Sequence, residues 1–265
     1  MNTFLRRGTS GCALPTLVIA VALVAAGCGS DDDKASSADN GDVVVSAATS
    51  LKQAFGTYAE SFEQAKAQLN FAGSDELATQ IRSGAKVDVF ASANTKLPDQ
   101  LYKEKRVDKP VVFTTNRLVL AVPEDSDKVG LLDDLAKQGT TLAIGAKDVP
   151  IGTYTRKVLG GLSAGAQKSI FANVKTEEPN VGGISAKLTQ GAVDAGFLYF
   201  TDVQATNGRL KAIELPDKLQ PEVAYGVAIV RSAPNRKAAQ AFVDGLLTGD
   251  GAAALRDAGF EPPPA

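Results

Sequence analysis

The sequence predicts an α/β fold with two lobes, each built on a mainly parallel β-sheet flanked by helices. Through most of the chain, short apolar runs alternate with segments of helical periodicity, which is typical of parallel sheets covered on both faces. Two very apolar strands, at 118–122 and 224–230, enclose a middle section, as expected for a chain that leaves one lobe, builds another and returns. We therefore assign 42–120 and 225–265 to lobe I and 121–224 to lobe II.

The α/β region opens with its clearest strand–helix unit. A β-branched run at 43–46 predicts a buried strand, and apolar side chains then recur at helical spacing over 51–68. Ser50 precedes this helix and Gln53 follows three residues later, which is the pattern of a capping box. Ser74 holds the same position before the next helix. We therefore expect both serines to be N-caps.

The remaining elements continue this alternation. Further strands are predicted at 69–72, 87–90, 111–113, 118–122, 142–144, around Val174, at 195–199, around Ile213 and at 224–230. Further helices are predicted at 74–82, 97–105, 131–137, 154–159, 183–190, 236–247 and 252–258. Most of these strands are continuous apolar runs, as expected when helices cover both faces of a sheet.

The N-terminus has the features of an export signal. The first residues carry two arginines and no acid, and the apolar run at 13–26 is too short to span a bilayer. These features predict a secretory signal peptide over 1–27. Residues 23–28 resemble a bacterial lipobox, which implies cleavage before Cys28 and attachment of lipid to its sulfur. An ordinary secretory signal followed by a chance cysteine is the alternative.

The cysteine count supports lipid attachment. The chain has two cysteines, and Cys12 lies in the part to be removed, so the mature chain keeps Cys28 alone and forms no internal disulfide. A single thiol in an exported protein needs an explanation, and lipidation provides one. Residues 28–41 are small and polar, which predicts a flexible tether. We expect an exported protein that is lipid-anchored on the extracytoplasmic face of the cell membrane.

The composition excludes several function classes. Histidine is absent, which removes Ser-His-Asp and Cys-His catalysis and the usual zinc and copper sites. The formal net charge is −2, and the chain has no basic run with interleaved aromatic residues, so we expect no nucleic acid partner. Ser83 and Lys86 match the S-x-x-K pattern of serine–lysine acyl enzymes, but the accompanying motifs are missing. The simpler interpretation is a helix end at Gly84, and we expect no enzyme.

Five strand-to-helix junctions are candidates for a binding site. The first backbone N–H groups of a helix have no partner within the helix, and together with the helix dipole they attract anions. In open α/β sheets the ligand lies beyond the carboxyl ends of the strands, so two facing lobes would enclose it. The residues at these junctions are Ser50, Ser74, Ile151, Val181 and Tyr199.

Seven segments in a fixed order carry a family resemblance. They are residues 47–51, 71–74, 84–93, 116–123, 149–154, 180–183 and 195–199. In order and spacing they resemble the molybdate-binding proteins of bacterial ABC importers, and the resemblance extends from about Val43 to Phe260. It implies a two-lobed periplasmic-binding-protein fold of type II, with the ligand in the cleft between the lobes.

The resemblance also implies a role for each junction. Ser50 and Ser74 would give hydroxyl and backbone N–H groups to a tetrahedral oxyanion. Ile151 and Val181 would donate backbone N–H groups, and Tyr199 its phenol hydroxyl. Molybdenum would be bound only as the oxyanion, with no direct protein ligand to the metal and no cofactor. Such neutral donors favour a fully deprotonated anion.

The expected function is that of a monomeric solute-binding lipoprotein, which captures molybdate and also tungstate and delivers it to an ABC permease. A binding protein for sulfate or another tetrahedral oxyanion is the alternative within the same class. A serine–lysine acyl enzyme and a surface interaction module are alternatives of other classes. Asp75 and Glu76 depart from the small or polar residues usual after Ser74. Because a nearby negative charge would repel an oxyanion, we expect both to point to solvent.

Overall fold

The computed structural model describes residues 41–264, and these residues contain two five-stranded β-sheets. The predicted signal peptide, Cys28 and all but the last residue of the predicted tether lie outside the described residues. The strands, in chain order, are β1 (Val43–Ala48), β2 (Ala67–Ala72), β3 (Val89–Ser92), β4 (Val111–Asn116), β5 (Leu118–Pro123), β6 (Leu142–Gly145), β7 (Val174–Glu178), β8 (Ala195–Tyr199), β9 (Leu210–Glu214) and β10 (Val223–Ile229).

The helices lie between these strands and cover the sheets. They are α1 (Lys52–Ser61), α2 (Ser74–Arg82), α3 (Lys96–Lys103), α4 (Pro150–Gly160), α5 (Ala164–Ala172), α6 (Val181–Thr189), α7 (Phe200–Gln204), α8 (Arg236–Thr248) and α9 (Asp250–Asp257). Short 3₁₀ turns at Thr49–Leu51, Leu132–Ala136 and Asp217–Leu219 complete the described secondary structure.

The two sheets have the same construction. Sheet I has the order β2-β1-β3-β10-β4 and sheet II the order β7-β6-β8-β5-β9. In sheet I, β1 is parallel to β2 and β3, while β10 is antiparallel to β3 and β4. In sheet II, β6 is parallel to β7 and β8, while β5 is antiparallel to β8 and β9. Each sheet is therefore mixed: four of its five strands run in the same direction, and the one reversed strand is the strand that arrives from the other lobe.

Sheet pairing moves the expected lobe boundaries. The boundary expected at 120/121 falls inside β5, which pairs with β8 and β9 of sheet II from its first residues onward. Only Arg117 separates β4 of sheet I from β5 of sheet II. The return boundary expected at 224/225 falls inside β10, which begins at Val223. Hydropathy identifies a buried strand but carries no information on the sheet that the strand joins, so the crossings were displaced by a few residues.

Several predicted helices differ from those observed. The first helix was expected over 51–68, but α1 ends at Ser61 because residues 67–72 pair with β1 along its whole length. Helices α5 and α7 were not predicted. In α5 only Ile170 is buried, so no apolar stripe marks it as a helix. Helix α7 has five residues, which is too short for a periodic signal.

The predicted N-cap roles of Ser50 and Ser74 are wrong. Ser50 lies inside the 3₁₀ turn, and Leu51 takes the cap position of α1. Ser74 is the first residue of α2, and the cap position belongs to Gly73. Neither α1 nor α2 has a side-chain cap hydrogen bond. Both serines are buried. Their hydroxyls form hydrogen bonds with other parts of the fold, Ser50 with Tyr225 and Ser74 with the N–H of Ala93.

Aromatic packing joins the core of lobe I to lobe II. Phe55 packs against Phe242 at a ring-centroid distance of 5.7 Å, and Phe260 packs against Tyr225 at 5.5 Å. The contact continues across the lobes, because the rings of Tyr225 and Tyr199 lie 5.7 Å apart with an angle of 66° between their planes. Edge-to-face pairs of this kind contribute about 0.5–1.5 kcal/mol beyond their burial. The crossing strands are therefore held by the same core that supports the site.

Candidate functional site

A small cavity lies where the carboxyl ends of strands from both sheets face each other. The five junction residues predicted from the sequence, Ser50, Ser74, Ile151, Val181 and Tyr199, all line it. The other lining residues are Ala48, Thr49, Ala72, Gly73, Ala93, Val149, Pro150, Pro179 and Asn180. The fold therefore brings together, around one space, residues that are as far apart in the chain as Ala48 and Tyr199.

The cavity is sized for a small ion. About 20 Å³ is open to the centre of a water-sized sphere, whereas about 10–15 Å³ is enough for one water molecule. None of the lining residues carries a charged side chain. The N-termini of α2, α4 and α6 contribute residues to the wall, and their dipoles favour negative charge. The space suits a compact anion held by neutral donors.

Ser74 places its hydroxyl beside this space. Its Oγ accepts a hydrogen bond from the backbone N–H of Ala93 at 3.1 Å, and the residue is buried. A hydroxyl has one proton and two acceptor lone pairs. The Ala93 N–H occupies one lone pair, so Ser74 keeps its proton and its second lone pair for other partners. The backbone N–H of Ser74, as the first of α2, has no partner within the helix.

Ser50 is held by a residue that the sequence analysis missed. Its Oγ lies 3.0 Å from the Tyr225 hydroxyl, and both residues are buried. Tyr225 lies in β10, which was predicted only as an apolar crossing strand. The available signal was a phenol in the middle of a buried strand, because a buried tyrosine hydroxyl usually has a hydrogen-bond partner.

The lobe II wall supplies backbone donors from two helix N-termini. Pro150 is the first residue of α4 and Ile151 the second, so the N–H of Ile151 has no partner within the helix. Val181 is the first residue of α6, and its cap Asn180 accepts from the N–H of Gly182 at 3.0 Å. The N–H of Val181 is therefore left for the cavity.

A glycine allows α4 to begin close to β6. A Cβ atom on Gly152 would lie 1.8 Å from the carbonyl oxygen of Ala146, a distance that no side chain can adopt. The helix can therefore approach the end of β6 only with glycine at this position. This approach fixes the N–H of Ile151 at the cavity wall.

Tyr199 places a buried hydroxyl at the cavity. Tyr199 is the last residue of β8, and it is 1% exposed. Within residues 41–264 its Oη atom has no hydrogen-bond partner. Leaving a buried polar group unpaired costs about 1–3 kcal/mol. Burial, followed by the neighbouring Tyr225, Tyr154 and Asp202, raises the pKa of Tyr199 well above its ordinary value. The phenol therefore keeps its proton at neutral pH and can donate it to an anion.

Asp75 and Glu76 behave differently from each other. Glu76 is exposed, as expected. Asp75 is not: its Oδ1 atom is buried without a partner in the described part of the chain, and it lies 3.0 Å from where a Cβ of Gly73 would be. The same point is 2.8 Å from the carbonyl oxygen of Pro179, so lobe II approaches this turn and helps to shield Oδ1 from solvent, although Asp75 as a whole is only half-buried. Neither acid lines the cavity.

Ser83 and Lys86 form a helix end rather than part of the cavity. Both are exposed, and Gly84 between them has φ of +88°. The N–H of Gly84 donates to Ile81 and that of Ala85 to Gln80, both at 3.0 Å, which is the hydrogen-bond pattern of a Schellman helix stop. The helix end expected at Gly84 is therefore present.

Two kinds of feature are absent from residues 41–264. No group of three or more His, Cys, Asp or Glu side chains is placed to hold a metal ion there. Within the same range, no helix has the length and apolar character needed to cross a membrane.

Comparisons with known proteins agree with this architecture. Residues 43–261 match the family described as bacterial extracellular solute-binding protein. The molybdate-binding protein ModA of Mycobacterium tuberculosis strain H37Rv is 30% identical over 227 residues, which cover 83% of this chain and 85% of that protein.

Solved structures show the same similarity. The substrate binding domain of a putative molybdenum ABC transporter from Clostridium difficile is 28% identical, with a TM-score of 0.64, over 84% of this chain and 100% of that chain. The sulfate-binding protein SubI of M. tuberculosis H37Rv has a TM-score of 0.74 at 16% identity, over 83% of this chain and 86% of that chain. This second likeness shows the fold alone. The two-lobed α/β fold predicted from the sequence is confirmed.

Proposed function

Since the chain belongs to the bacterial extracellular solute-binding protein family, we propose that it captures molybdate between its lobes and delivers it to the permease of an ABC transporter. The observation that carries this proposal is the buried hydroxyl of Tyr199, which lines a cavity free of charged side chains and has no partner among residues 41–264. An oxyanion at this point would accept its hydrogen bond.

The proposed binding mode uses hydrogen bonds alone. Ser50, Ser74 and Tyr199 donate hydroxyl protons, and Ile151 and Val181 donate backbone N–H groups. Each hydrogen bond to a charged group contributes about 1.5–3 kcal/mol, so five donors are sufficient without a lysine or arginine. Molybdenum is bound only through the oxygens of the anion. Tungstate has the same shape and charge, and we propose that it binds as well.

The proposed location follows from the N-terminal sequence. Residues 1–27 direct export and are removed, the sulfur of Cys28 is lipidated, and residues 28–41 tether the two lobes to the extracytoplasmic face of the membrane. The protein acts as a monomer. Mass spectrometry of the mature protein should find a lipidated N-terminal Cys28, and Cys28→Ala should release the protein from the membrane. An unmodified N-terminus at another residue would refute the anchor and leave the binding site unaffected.

Thermal melting with a panel of anions tests the ligand. A ligand at one hundred times its dissociation constant adds about 2.7 kcal/mol to the free energy of unfolding, a shift that is easily measured. Molybdate and tungstate should raise the melting temperature more than sulfate, and phosphate should have the smallest effect. A sulfate shift larger than the molybdate shift would replace the named ligand. If none of the four anions has an effect, the proposed function is wrong.

A further inference from the structure

Asp75 is a charged residue beside the cavity that the proposed binding mode does not use. It follows Ser74 in the first turn of α2, and it lines a groove of about 450 Å³. Both lobes contribute to this groove, for example Lys96 from lobe I and Lys157 from lobe II. Pro150 lines the groove as well as the cavity, so the groove adjoins the cavity.

The carboxylate of Asp75 and lobe II approach the same point. A Cβ atom on Gly73 would lie 2.8 Å from the carbonyl oxygen of Pro179 and 3.0 Å from Asp75 Oδ1. Gly73 has an ordinary φ of −62°, so the close approach of lobe II, and not the backbone conformation, favours glycine there. A carbonyl oxygen and a carboxylate oxygen can only accept hydrogen bonds, so neither one satisfies the other.

The Oδ1 atom of Asp75 is buried and has no hydrogen-bond partner within residues 41–264, although the residue as a whole is half-buried. Such an atom is unfavourable, because the protein does not replace the water that the atom loses. Since Pro179 belongs to lobe II, separation of the lobes by a hinge motion would return water to Oδ1. The unfavourable contact therefore belongs to the closed arrangement, in which Pro179 reaches Gly73.

The charge of Asp75 also acts against an anion in the cavity. The N-terminus of α2 forms part of the cavity wall, and its dipole attracts negative charge. A carboxylate in the same turn offsets this attraction, and solvent screens a partly buried charge less than an exposed one. Glu76 has the same charge in the same turn but is exposed, so solvent screens its effect on the cavity.

We propose that Asp75 limits the affinity of the site and speeds release of the bound anion, because its buried oxygen and its charge disfavour the closed arrangement of the lobes. This inference rests on the proposed function. It names the residue that favours release, which delivery of the anion to a permease requires.

Two substitutions of Asp75 test the inference. Asp75→Asn removes the charge and keeps the shape, whereas Asp75→Ala removes the whole carboxylate. Each should raise the molybdate affinity roughly threefold to tenfold, because the cost of the unpaired oxygen is removed while the solvated part of the carboxylate contributes little. Stopped-flow kinetics should show the gain as slower dissociation. Unchanged or weaker binding in both variants would overturn the inference. A gain in Asp75→Asn alone would come from a new hydrogen bond of its amide and would overturn it too.

Glu76→Gln is the matched control, because it removes one negative charge from the same helical turn at an exposed position. It should change the molybdate affinity less than about twofold. A gain as large as that of Asp75→Asn would mean that net charge alone sets the affinity, and the buried position of Asp75 would have no special role.

Gly73→Ala tests the same contact in the opposite direction. Its Cβ atom would meet the Pro179 carbonyl, so the lobes could not close fully and the molybdate affinity should fall at least roughly tenfold. Calorimetry measures this loss. An affinity equal to that of the parent protein would show that lobe II does not approach this turn, and the inference would fail.

A measurement without ligand separates this inference from the proposed function. Lys96→Cys and Lys157→Cys place spin labels at exposed positions on the two walls of the groove, in a full-length chain whose Cys12 and Cys28 are replaced by serine. Pulsed electron paramagnetic resonance of the empty protein should give shorter distances between the labels after Asp75→Asn, because the closed population rises. Identical distances would overturn the inference whether or not molybdate binds. Shorter distances in a protein that binds no oxyanion would instead refute the proposed function and keep the effect of Asp75 on closure.

Discussion

The two lobes offer the same positions to the cavity but fill them with different donors. In the two sheet orders, β1 has the same position as β6, β2 the same position as β7, and β3 the same position as β8. Ser50 follows β1 where Ile151 follows β6, and Ser74 follows β2 where Val181 follows β7. Lobe I therefore supplies serine hydroxyls at the two positions where lobe II has apolar residues and can offer only backbone N–H groups.

At the third pair of equivalent positions, the ends of β3 and β8, lobe II supplies the side-chain donor and lobe I a backbone N–H. After β3, the N–H of Ala93 is used internally, by Ser74. At the end of β8, the Tyr199 hydroxyl has no partner among the described residues. The side-chain hydroxyls of lobe I therefore already have a hydrogen-bond partner in the protein, while the Tyr199 hydroxyl of lobe II has none among the described residues. The topology determines where the donors lie, the local sequence determines their kind, and distant residues such as Tyr225 determine which of them already have a partner in the protein.

The largest expected effect on stability and binding comes from a substitution in lobe II, where α4 lies close to β6. Gly152→Ala places a Cβ atom against the Ala146 carbonyl, so the helix must shift and carry the N–H of Ile151 with it. We expect the free energy of unfolding to fall by roughly 3 kcal/mol and molybdate binding to be lost. Urea denaturation and calorimetry measure the two effects.

Gly160→Ala is the matched control in the same helix, because a Cβ atom there would meet no other atom within 4 Å. It should leave stability and affinity unchanged or raise stability slightly. A Gly152→Ala variant as stable as Gly160→Ala would show that the close approach is unimportant.

The serines should respond to side-chain changes more strongly than their lobe II equivalents. Ser50→Ala and Ser74→Ala each remove a hydrogen bond to a charged group, worth about 1.5–3 kcal/mol, so each should weaken molybdate binding roughly tenfold to a hundredfold. Ile151→Val and Val181→Ala keep the backbone donors and should change the affinity less than about threefold. Titration calorimetry on the four variants tests the comparison. Equal losses in both lobes would contradict the assignment of donor types.

Tyr199→Phe should separate binding from stability. Because the hydroxyl has no partner within the described residues, removing it should leave the melting temperature of the empty protein unchanged or slightly higher. Molybdate affinity should fall roughly tenfold, as for the loss of one charge-assisted hydrogen bond. The measurement is thermal melting with and without molybdate. A clear drop in the melting temperature of the empty protein would mean that Tyr199 is a structural residue and not a waiting donor.

The smallest expected effect is a pH dependence that belongs to lobe II. Burial raises the pKa of Asp202 from its ordinary value to about 7, against the lowering effect of the Tyr199 N–H that it accepts. The folded state therefore holds a proton that the unfolded state releases near pH 4. Stability is highest below pH 4 for this group and falls as the pH rises to 7. A full shift of about three pKa units would correspond to about 4 kcal/mol, and because Asp202 is only half-buried, solvent screening reduces the expected loss to the order of 1 kcal/mol.

In the Asp202→Asn variant the side chain cannot ionise. Its free energy of unfolding should therefore fall less than that of the parent protein between pH 4 and pH 8. Urea denaturation at several pH values measures the difference between the two proteins. Parallel curves would mean that Asp202 does not titrate in this range.

Much of the site could be predicted from the sequence because local patterns determine it. Apolar strands that lead into helices identify the five junctions, and helix N-termini donate N–H groups whatever the side chain. The parts that could not be predicted depend on distant partners. Ser50 and Tyr225 are 175 residues apart, and no periodicity joins them. The burial of the Asp75 Oδ1 atom likewise depends on Pro179, which comes from the other lobe.

The capping patterns at Ser50 and Ser74 predicted the wrong hydrogen bonds, again because the partners of these serines are distant in the sequence. A hydroxyl before a helix predicts an N-cap only if no better partner is near. In the fold, Ser74 receives the Ala93 N–H and Ser50 contacts Tyr225, so α1 and α2 begin without a side-chain cap. The serines that the sequence identified correctly as junction residues were therefore given the wrong hydrogen bonds.

The single residue between β4 and β5 has a consequence for the speed of ligand exchange. One residue contributes two soft backbone dihedrals, so the first crossing allows rotation but little translation. Arg117 is restrained further by Glu214 at 2.7 Å, Glu261 at 3.2 Å and the Phe200 ring at 4.3 Å. Rigid-body hinge motions take microseconds to milliseconds, and we expect the breaking of these contacts to slow opening. The residence time of the bound anion would then depend on Arg117, a residue that does not touch it.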